Sequence, residues 1–217
     1  DAGTDTVKDL GGSSGGETDI LIVSNGATAN ATDITSFTAS SSTKNEGTAN
    51  LTVKVAGGTI DIGNSTTGAY NLTGLSGNDT LKGNGNADTI TGGSGDDTID
   101  GRGGNDIINA GGGDDIITVS SAGQGNGDTI DGGSGTDTLS LSSGSHSFAT
   151  DAKLQNINSI SLASTSTVID LTGQTESLSI TGGAQADTIT AGSGDDIING
   201  AAGADIIKGA SGTDTIS

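Results

Sequence analysis

Eleven aspartates recur at one place in a nine-residue pattern, Gly-Gly-x-Gly-x-Asp-x-apolar-x. Five copies run without a gap from Gly74 to Thr118, two more follow a four-residue insertion (Val119 to Ala122), and four fill residues 182–217. The position-six aspartates are Asp79, Asp88, Asp97, Asp106, Asp115, Asp128, Asp137, Asp187, Asp196, Asp205 and Asp214, and Asp5 ends a partial copy. Carboxylates at such regular spacing, set among glycine carbonyls, indicate cation binding by oxygen ligands.

The period also predicts the fold that positions these carboxylates. The first six residues of each copy favour a turn, because Gly accepts positive φ, and the last three favour a short strand. Two copies then close one coil of 18 residues, so alternate copies stack at about 4.8 Å, the spacing of paired strands. Asp97 should lie between Asp79 and Asp115 on one edge, with Asp88 and Asp106 on the other. The position-eight residues should form two facing inner rows, Leu81, Ile99 and Ile117 against Ile90 and Ile108.

Charge argues that the stack needs cations. The chain carries a net charge of −20, and its seven Lys and Arg residues cannot neutralise the 27 acids. Each copy buries one aliphatic side chain but orders nine residues, so burial alone does not offset the lost backbone entropy. Calcium, which accepts six to eight oxygens in flexible geometry, fits such loops better than magnesium. We therefore predict folding coupled to binding of roughly five to eight Ca²⁺ ions.

A metal-free alternative remains open for the same residues. Aspartates in turns can accept hydrogen bonds from backbone N–H groups, and a solenoid built that way needs no cation. For five other aspartates we prefer a role as solvated neighbours: Asp96, Asp100, Asp114, Asp131 and Asp195.

The rest of the chain keeps a Ser, Thr and Gly bias without the aspartate period. Alternating runs at Leu51–Val55, Thr59–Ile62, Ile157–Leu162, Val168–Leu171 and Leu178–Ile180 predict strands with one buried face. We therefore predict one continuous elongated solenoid. Its parts are the end of an upstream block with a Gly-rich loop (1–19), coils without the metal motif (20–73 and 141–181), and metal-binding repeats (74–140 and 182–217).

Composition argues against several function classes. With no Cys there is neither a disulfide framework nor a thiol nucleophile. The single histidine, His146, is expected to be an exposed loop residue, and no nucleophile–base pair suggests an enzyme. So few basic residues make nucleic acid a poor partner, and no stretch is long enough to span a membrane. Because the chain opens and closes inside repeats, we expect it to be part of a longer polypeptide.

The copies at residues 74–118 and 182–217 resemble the haemolysin-type RTX calcium-binding repeat family. This resemblance implies an all-β, right-handed parallel β-roll or β-helix solenoid, in which position-six carboxylates and loop carbonyls hold Ca²⁺ between same-edge loops. One implied site joins the carbonyls of Gly93 and Gly95 and the Asp97 carboxylate to the corresponding groups of the next coil. Over the whole chain the implied carbonyl ligands are Gly77, Gly93, Gly95, Gly104, Gly111, Gly113, Gly192, Gly194 and Gly203.

Several copies depart from the pattern. Ala110 stands at position one, where a carbonyl ligand survives but the required φ is harder to reach. Substitutions at Asn84, Ala87, Ala201 and Ala210 are expected to matter little. Asn86 and Gln185 occupy position four, where Gly is wanted, so the loops ending at Asp88 and Asp187 fit the metal motif least well.

The resemblance also implies an extracellular or cell-surface location after type I secretion. Ser/Thr-rich strands such as Leu154–Leu162 are similar to those of bacterial surface-layer and adhesive proteins. We therefore expect a structural surface-layer segment that self-associates, and no catalysis. Two alternatives stay open: the calcium-binding secretion and folding module of an exported enzyme, toxin or adhesin, and an ice- or glycan-binding adhesin with outward threonines such as Thr89 and Thr91.

Overall fold

The computed structural model describes residues 21–53, 57–120 and 127–217, together with the backbone of residues 4–8. In these ranges the chain winds into a β-solenoid, because each strand pairs in parallel with a strand one coil away. No α-helix occurs in this part of the chain, and one 3₁₀ turn covers Asp151–Lys153. No helix of the described ranges could therefore cross a bilayer. The predicted all-β parallel solenoid is confirmed.

The strands are short, as expected for a chain that turns every nine residues or so. The first twelve are β1 (Thr4–Lys8), β2 (Ile22–Val23), β3 (Thr28–Ile34), β4 (Ser36–Thr38), β5 (Lys44–Asn45), β6 (Thr48–Val53), β7 (Thr59–Asp61), β8 (Tyr70–Ser76), β9 (Thr80–Lys82), β10 (Thr89–Ser94), β11 (Thr98–Asp100) and β12 (Ile107–Gly112). The second twelve are β13 (Ile116–Val119), β14 (Thr129–Ser134), β15 (Thr138–Leu141), β16 (Gly144–Ser147), β17 (Leu154–Gln155), β18 (Ser159–Leu162), β19 (Thr167–Asp170), β20 (Ser179–Thr181), β21 (Thr188–Thr190), β22 (Ile197–Asn199), β23 (Ile206–Lys208) and β24 (Thr215–Ile216).

Four parallel sheets form the sides of the described solenoid. Sheet I has ten strands in the order β4-β7-β9-β11-β13-β15-β18-β20-β22-β24, and it runs through both repeat blocks and the segment between them. Sheet II has the order β1-β3-β6-β8-β10-β12-β14-β17. Sheet III (β16-β19-β21-β23) forms the second side of the later coils, and sheet IV (β2-β5) is a small addition to the early ones.

The nine-residue pattern sets the facing of each strand. Successive strand residues point to opposite sides, so position eight faces inward while positions seven and nine face outward. Leu81, Ile99 and Ile117 form one inner row in sheet I, and Ile90 and Ile108 lie in register in sheet II. These five side chains are at most 2% exposed, which confirms the two predicted rows.

The insertion after Thr118 leaves the register intact. Asp115 stacks on Asp97, 18 residues earlier, whereas Asp137 stacks on Asp115 after 22 residues. Thr118 still pairs with Ser140 in sheet I. The coil between them is four residues longer, and its residues 121–126 lie outside the described ranges.

Coils without the aspartate period have bulkier cores. The three aromatic residues of the chain, Phe37, Tyr70 and Phe148, are all buried, and all lie in residues 20–73 or 141–181. The alternating runs predicted there correspond to β6, β7, β18, β19 and β20, although residues 54–56 lie outside the described part. These coils therefore bury more apolar volume than a plain nine-residue repeat can.

The expectation for His146 was wrong. The residue lies in β16, pairs in register with Ile169 and is only 2% exposed. Its Nε2 lies 2.9 Å from the carbonyl oxygen of Ser142, while Nδ1 has no hydrogen-bond partner. Burial lowers the pKa of His146. A Ser-rich segment looked like a loop, but alternation places this ring in the row that continues as Ile169 and Ile189.

Candidate metal centres

Position-six residues stack into three columns. Edge 1, the column of loops that lead into sheet I, contains Asp79, Asp97, Asp115, Asp137, Asn158, Leu178, Asp196 and Asp214. Edge 2 leads into sheet II and contains Asp88, Asp106 and Asp128. Edge 3 leads into sheet III and contains Asp187 and Asp205. The pattern thus brings the predicted carboxylates together in rows, one residue per coil.

Within each column the carboxylates tie successive coils together. Oδ1 of Asp97 accepts the backbone N–H of Asp79 at 2.8 Å, and Oδ1 of Asp115 accepts that of Asp97 at 2.7 Å. The same bond joins Asp106 to the N–H of Asp88 at 2.8 Å on edge 2. One oxygen of each carboxylate is therefore committed to the backbone of the preceding coil.

The second carboxylate oxygen is buried and has no hydrogen-bond partner in most of these loops. This holds for Oδ2 of Asp79, Asp97, Asp106, Asp115, Asp137 and Asp196. The six side chains belong to residues that are at most 2% exposed. A buried carboxylate oxygen without a partner costs free energy unless a donor or cation reaches it.

Four of the orphaned oxygens, those of Asp79, Asp97, Asp106 and Asp137, face spaces beside position-one glycines, whereas Asp115 and Asp196 follow an alanine at that position. A Cβ on Gly74 would lie 2.7 Å from Asp79 Oδ2 and would collide with the carbonyl oxygen of Gly92 in the next coil. A Cβ on Gly92 would collide with Asp97 Oδ2 and with the carbonyl oxygen of Ala110. Each space therefore collects a carboxylate oxygen and a position-one carbonyl, the donor set that a hard cation prefers.

Burial and like charge both act on these carboxylates. Burial raises the pKa of Asp106 to about 8 against the bond from Asp88 N–H, and nearby Asp128, Asp88 and Asp100 add to the rise. Burial likewise raises the pKa of Asp97, and that of Asp88, to about 6. The pKa values of Asp79, Asp115, Asp137 and Asp196 are also raised, chiefly by burial. A cation placed among these groups would remove the penalty on the charged form.

The ammonium group of Lys153 lies at the end of edge 2. Burial raises the pKa of Asp128 to about 6, while the bond from Asp106 N–H and the Lys153 ammonium lower it. Lys153 Nζ donates to the carbonyl oxygen of Gly127 at 2.8 Å, beside that carboxylate. The side chain therefore supplies positive charge where edge 2 meets the segment without the motif.

The glycine ligands implied by the resemblance also stack. At position two, the carbonyl of Gly93 faces Gly111, and at position four that of Gly95 faces Gly113. All four have φ between +114° and +137°, which explains the need for glycine there. Gly77, Gly104 and Gly203 share this positive φ, whereas Gly192 and Gly194 stack on Gln174 and Glu176 without it.

Departures from the motif have distinct consequences. Ala110 is fully buried and does not adopt positive φ, so position one makes no such demand. Ala201 and Ala210 do adopt left-handed φ values of 64° and 65° at position two. Asp205 and Asp214, in the last coil, are partly exposed. The side chain of Asp5 lies outside the described part of the chain.

The sequence alone missed several members of these columns. Asn158 accepts the N–H of Asp137 at 2.6 Å, and Leu178 donates its N–H to Asp196 Oδ1 at 2.8 Å, so edge 1 continues through the middle segment. The position-one carbonyls were missed as well, although the recurrence of glycine there was a usable signal. The position-five residues Asp96 and Asp114 are more than solvated neighbours, because each accepts a backbone N–H from the next coil.

No three His, Cys, Asp or Glu side chains converge as a metal-binding cluster in the described ranges. A cation in the spaces between stacked loops of successive coils, here called joints, would therefore depend on backbone carbonyls as well as on the aspartates. The orphaned Oδ2 atoms and the open spaces beside the position-one glycines fit calcium, with its preference for many oxygens in flexible geometry. Bound there, calcium would neutralise the stacked carboxylates and join successive loops.

Comparisons with known proteins agree with this donor set. No curated protein and no solved structure matches the chain. The profile of the RTX calcium-binding nonapeptide repeat matches four times, at residues 67–99, 83–117, 122–145 and 181–216, which together cover just over half of the chain. With its stacked aspartates and glycine loops, this chain belongs to the RTX calcium-binding nonapeptide repeat family.

Proposed function

We propose that the chain is a structural segment of a bacterial surface-layer or extracellular matrix protein, in which calcium drives folding and stiffens the solenoid. The observation that carries the proposal is the series of buried, unpartnered Oδ2 atoms along one column, from Asp79 to Asp196. Each joint that binds calcium gains a link between two coils, so successive links turn a weakly stable coil into a stiff rod.

Calcium supply would then control where the protein folds. Extracellular calcium modules typically bind at about 10⁻⁴ to 10⁻³ M, above the calcium level of the cytosol. The chain would stay unfolded before export by type I secretion and fold outside the cell. Circular dichroism during a calcium titration, with chelator reversal, tests this step; a full strand signal in chelator would contradict it.

The outward face of sheet I supports lateral self-association. From β13 to β24 its outward residues carry no charge: Ile116, Thr118, Thr138, Ser140, Ser159, Ser161, Ser179, Thr181, Ile197, Asn199 and Thr215. On a chain with net charge −20, this strip lets two copies approach without carboxylate repulsion. No catalytic role is needed, and we propose none.

Assembly can be tested with a charge placed on that strip. Thr181→Asp should reduce calcium-dependent assembly, measured by light scattering and electron microscopy, while Thr190→Asp on sheet III serves as the matched control. Equal assembly of both variants would contradict lateral packing through sheet I. Cryo-imaging of the native envelope tests the surface-layer role itself, which the absence of an ordered array or filament would refute.

A second candidate is the calcium-binding secretion and folding module of an exported enzyme, toxin or adhesin. The repeat family supports this role as well as the structural one. The two differ outside the present sequence: a catalytic domain encoded in the same gene would favour the module, and its activity should then require calcium.

A further inference from the structure

Not every joint between coils is open to a cation. At position two, the side-chain direction points toward the loop of the preceding coil, because a Cβ on Gly93 would lie 2.5 Å from the carbonyl oxygen of Leu75. Glycine at this position therefore leaves the joint empty of side chains. Leu75 and Arg102 also stand at position two, but the first is 45% exposed and the second pairs with Asp61, so a side chain enters the joint only in some copies.

Asn84 enters such a joint at position two on edge 2. The residue is 1% exposed, and its Nδ2 donates to the carbonyl oxygen of Gly68 in the preceding coil at 3.0 Å. Its Oδ1 accepts the backbone N–H of Asn86 at 2.8 Å, which fixes the amide in this orientation. The amide thus presents N–H donors to a loop carbonyl, as a cation presents positive charge.

The loop at Asn84 also satisfies Asp88, but through main-chain donors, since the N–H of Gly183 bonds to Asp187 Oδ2 in the same way at 2.7 Å. Both carboxylate oxygens of Asp88 have donors, Oδ1 from Tyr70 N–H and Oδ2 from Asn84 N–H, each at 2.8 Å. Asp106, one coil later on the same edge, has an unpartnered Oδ2. The difference lies in the loops, because both carboxylates are buried to 1% exposure.

Gln174 occupies the corresponding place on edge 1. Gln174 stacks against Gly192, the position-two residue one coil later, and is itself 1% exposed. Its Nε2 donates to the carbonyl oxygens of Phe148 at 2.6 Å and Thr150 at 3.1 Å, both in the preceding coil. One amide thus binds two carbonyls in a loop that has no position-six aspartate.

The cores of the same two coils also favour folding without a cation. Tyr70 follows the loop to which Asn84 bonds, and Phe148 lies in the loop to which Gln174 bonds, so each of these loops contains or adjoins a buried aromatic residue. Such coils bury more apolar surface than a nonapeptide with one Ile, and therefore depend less on added binding energy.

We propose that the side-chain amides of Asn84 and Gln174 replace calcium at the joints between loops 65–70 and 83–88 and between loops 148–153 and 171–178. These joints close without a cation. Calcium-dependent repeats are then attached to segments that hold their fold in its absence, which gives the chain a nucleus from which calcium-driven winding spreads. The inference rests on the calcium-dependent folding described under the proposed function.

Peptide-resolved hydrogen exchange of the full chain, in chelator and in calcium, tests the inference. In chelator, β8 and β19 should exchange at least about tenfold more slowly than β11 and β13, and calcium should slow β11 and β13. Asn84→Ala should speed exchange of β8 in chelator by about tenfold, the loss expected for a buried hydrogen-bonding group. Gln174→Ala should do the same to β19.

Matched controls are exposed amides on strands, Asn109→Ala for Asn84 and Gln155→Ala for Gln174. Both amide variants should bind as many calcium ions as the parent chain in equilibrium dialysis, and should regain full strand signal in calcium. Unchanged exchange of β8 and β19 in the variants would overturn the amide inference alone. Protection of β11 and β13 that ignores calcium would overturn the proposed function instead.

Discussion

Asp97 Oδ1 accepts the backbone N–H of Asp79 at 2.8 Å, although the two residues are 18 positions apart and both are acids. This bond stacks one buried carboxylate on the next and leaves Asp97 Oδ2 without a partner. The two oxygens therefore differ: Oδ1 bonds to the backbone of the preceding coil, and Oδ2 has no hydrogen-bond donor.

Asp97→Asn should separate the contributions of these two oxygens. The amide keeps the Oδ1 acceptor but loses the charge, and its N–H₂ can meet the carbonyl oxygen of Ala110. We expect calcium affinity of the adjoining joint to fall by about tenfold, because affinity follows ligand charge, while strand content in chelator rises.

Asp97→Ala is the comparison, since it removes both oxygens and should lower calcium affinity and strand content together. Calorimetric calcium titration and circular dichroism provide the two measurements. If the Asn and Ala variants behave alike, the Oδ1 bond does not set the register.

The pH dependence of the calcium-free chain follows from the raised pKa values. The pKa of Asp106 is about 8 and those of Asp97 and Asp128 are about 6 in the fold, against 3.8 for an ordinary aspartate. The folded state therefore binds more protons than the unfolded state between these values, and its stability falls as the pH rises from about 4 to 8.

Strand content of the metal-free chain should consequently be higher at pH 5 than at pH 8. The lowered pKa of His146 acts in the opposite sense, since protonating the buried ring favours unfolding as the pH falls below 6.5. Circular dichroism after removal of calcium measures the net effect, and His146→Asn should increase the acid stabilisation. Strand content that rises with pH would contradict the assignment of the aspartates.

Gly92→Ala tests the space beside Asp97. The new Cβ would occupy the space that Asp97 Oδ2 and the Ala110 carbonyl share, so we expect calcium affinity at that joint to fall by about tenfold or more. Gly85→Ala is the matched control, because no atom lies within 4 Å of its Cβ position and its φ is not positive. Equal calcium affinities for the two variants would show that calcium does not bind in the space beside Asp97.

Ile107 and Ile108 compare an outward with an inward aliphatic residue on one strand. Ile108 is 2% exposed and Ile107 is 56% exposed. In calcium, Ile108→Ala should lower the free energy of unfolding by about 2 to 5 kcal/mol through the cavity it leaves. Ile107→Ala should change it by less than about 0.5 kcal/mol. Denaturant titration measures both, and equal losses would mean that the inner row is not the core.

The aspartate period alone determined the strand facing, the 18-residue coil and the stacking of Asp79, Asp97 and Asp115. These follow because backbone pairing in a parallel coil repeats whatever the local nine-residue pattern specifies. Asn158 and Leu178 show the limit of that reasoning. They occupy position six in coils of irregular length, and only the sheet register places them in edge 1.

Tertiary structure also decided which loops are joined by side-chain amides and which side chains are buried. From the sequence, Asn84 is expected to matter little, but in the structure its amide donates to the carbonyl of Gly68. From the sequence, His146 is expected in a loop, but in the structure it lies in a strand in register with Ile169. Each contact joins residues 16 to 23 positions apart across a joint whose geometry depends on the loop of another coil. The nine-residue period specifies only what repeats along the chain, whereas these contacts depend on which residues of the neighbouring coil lie next to Asn84 and His146.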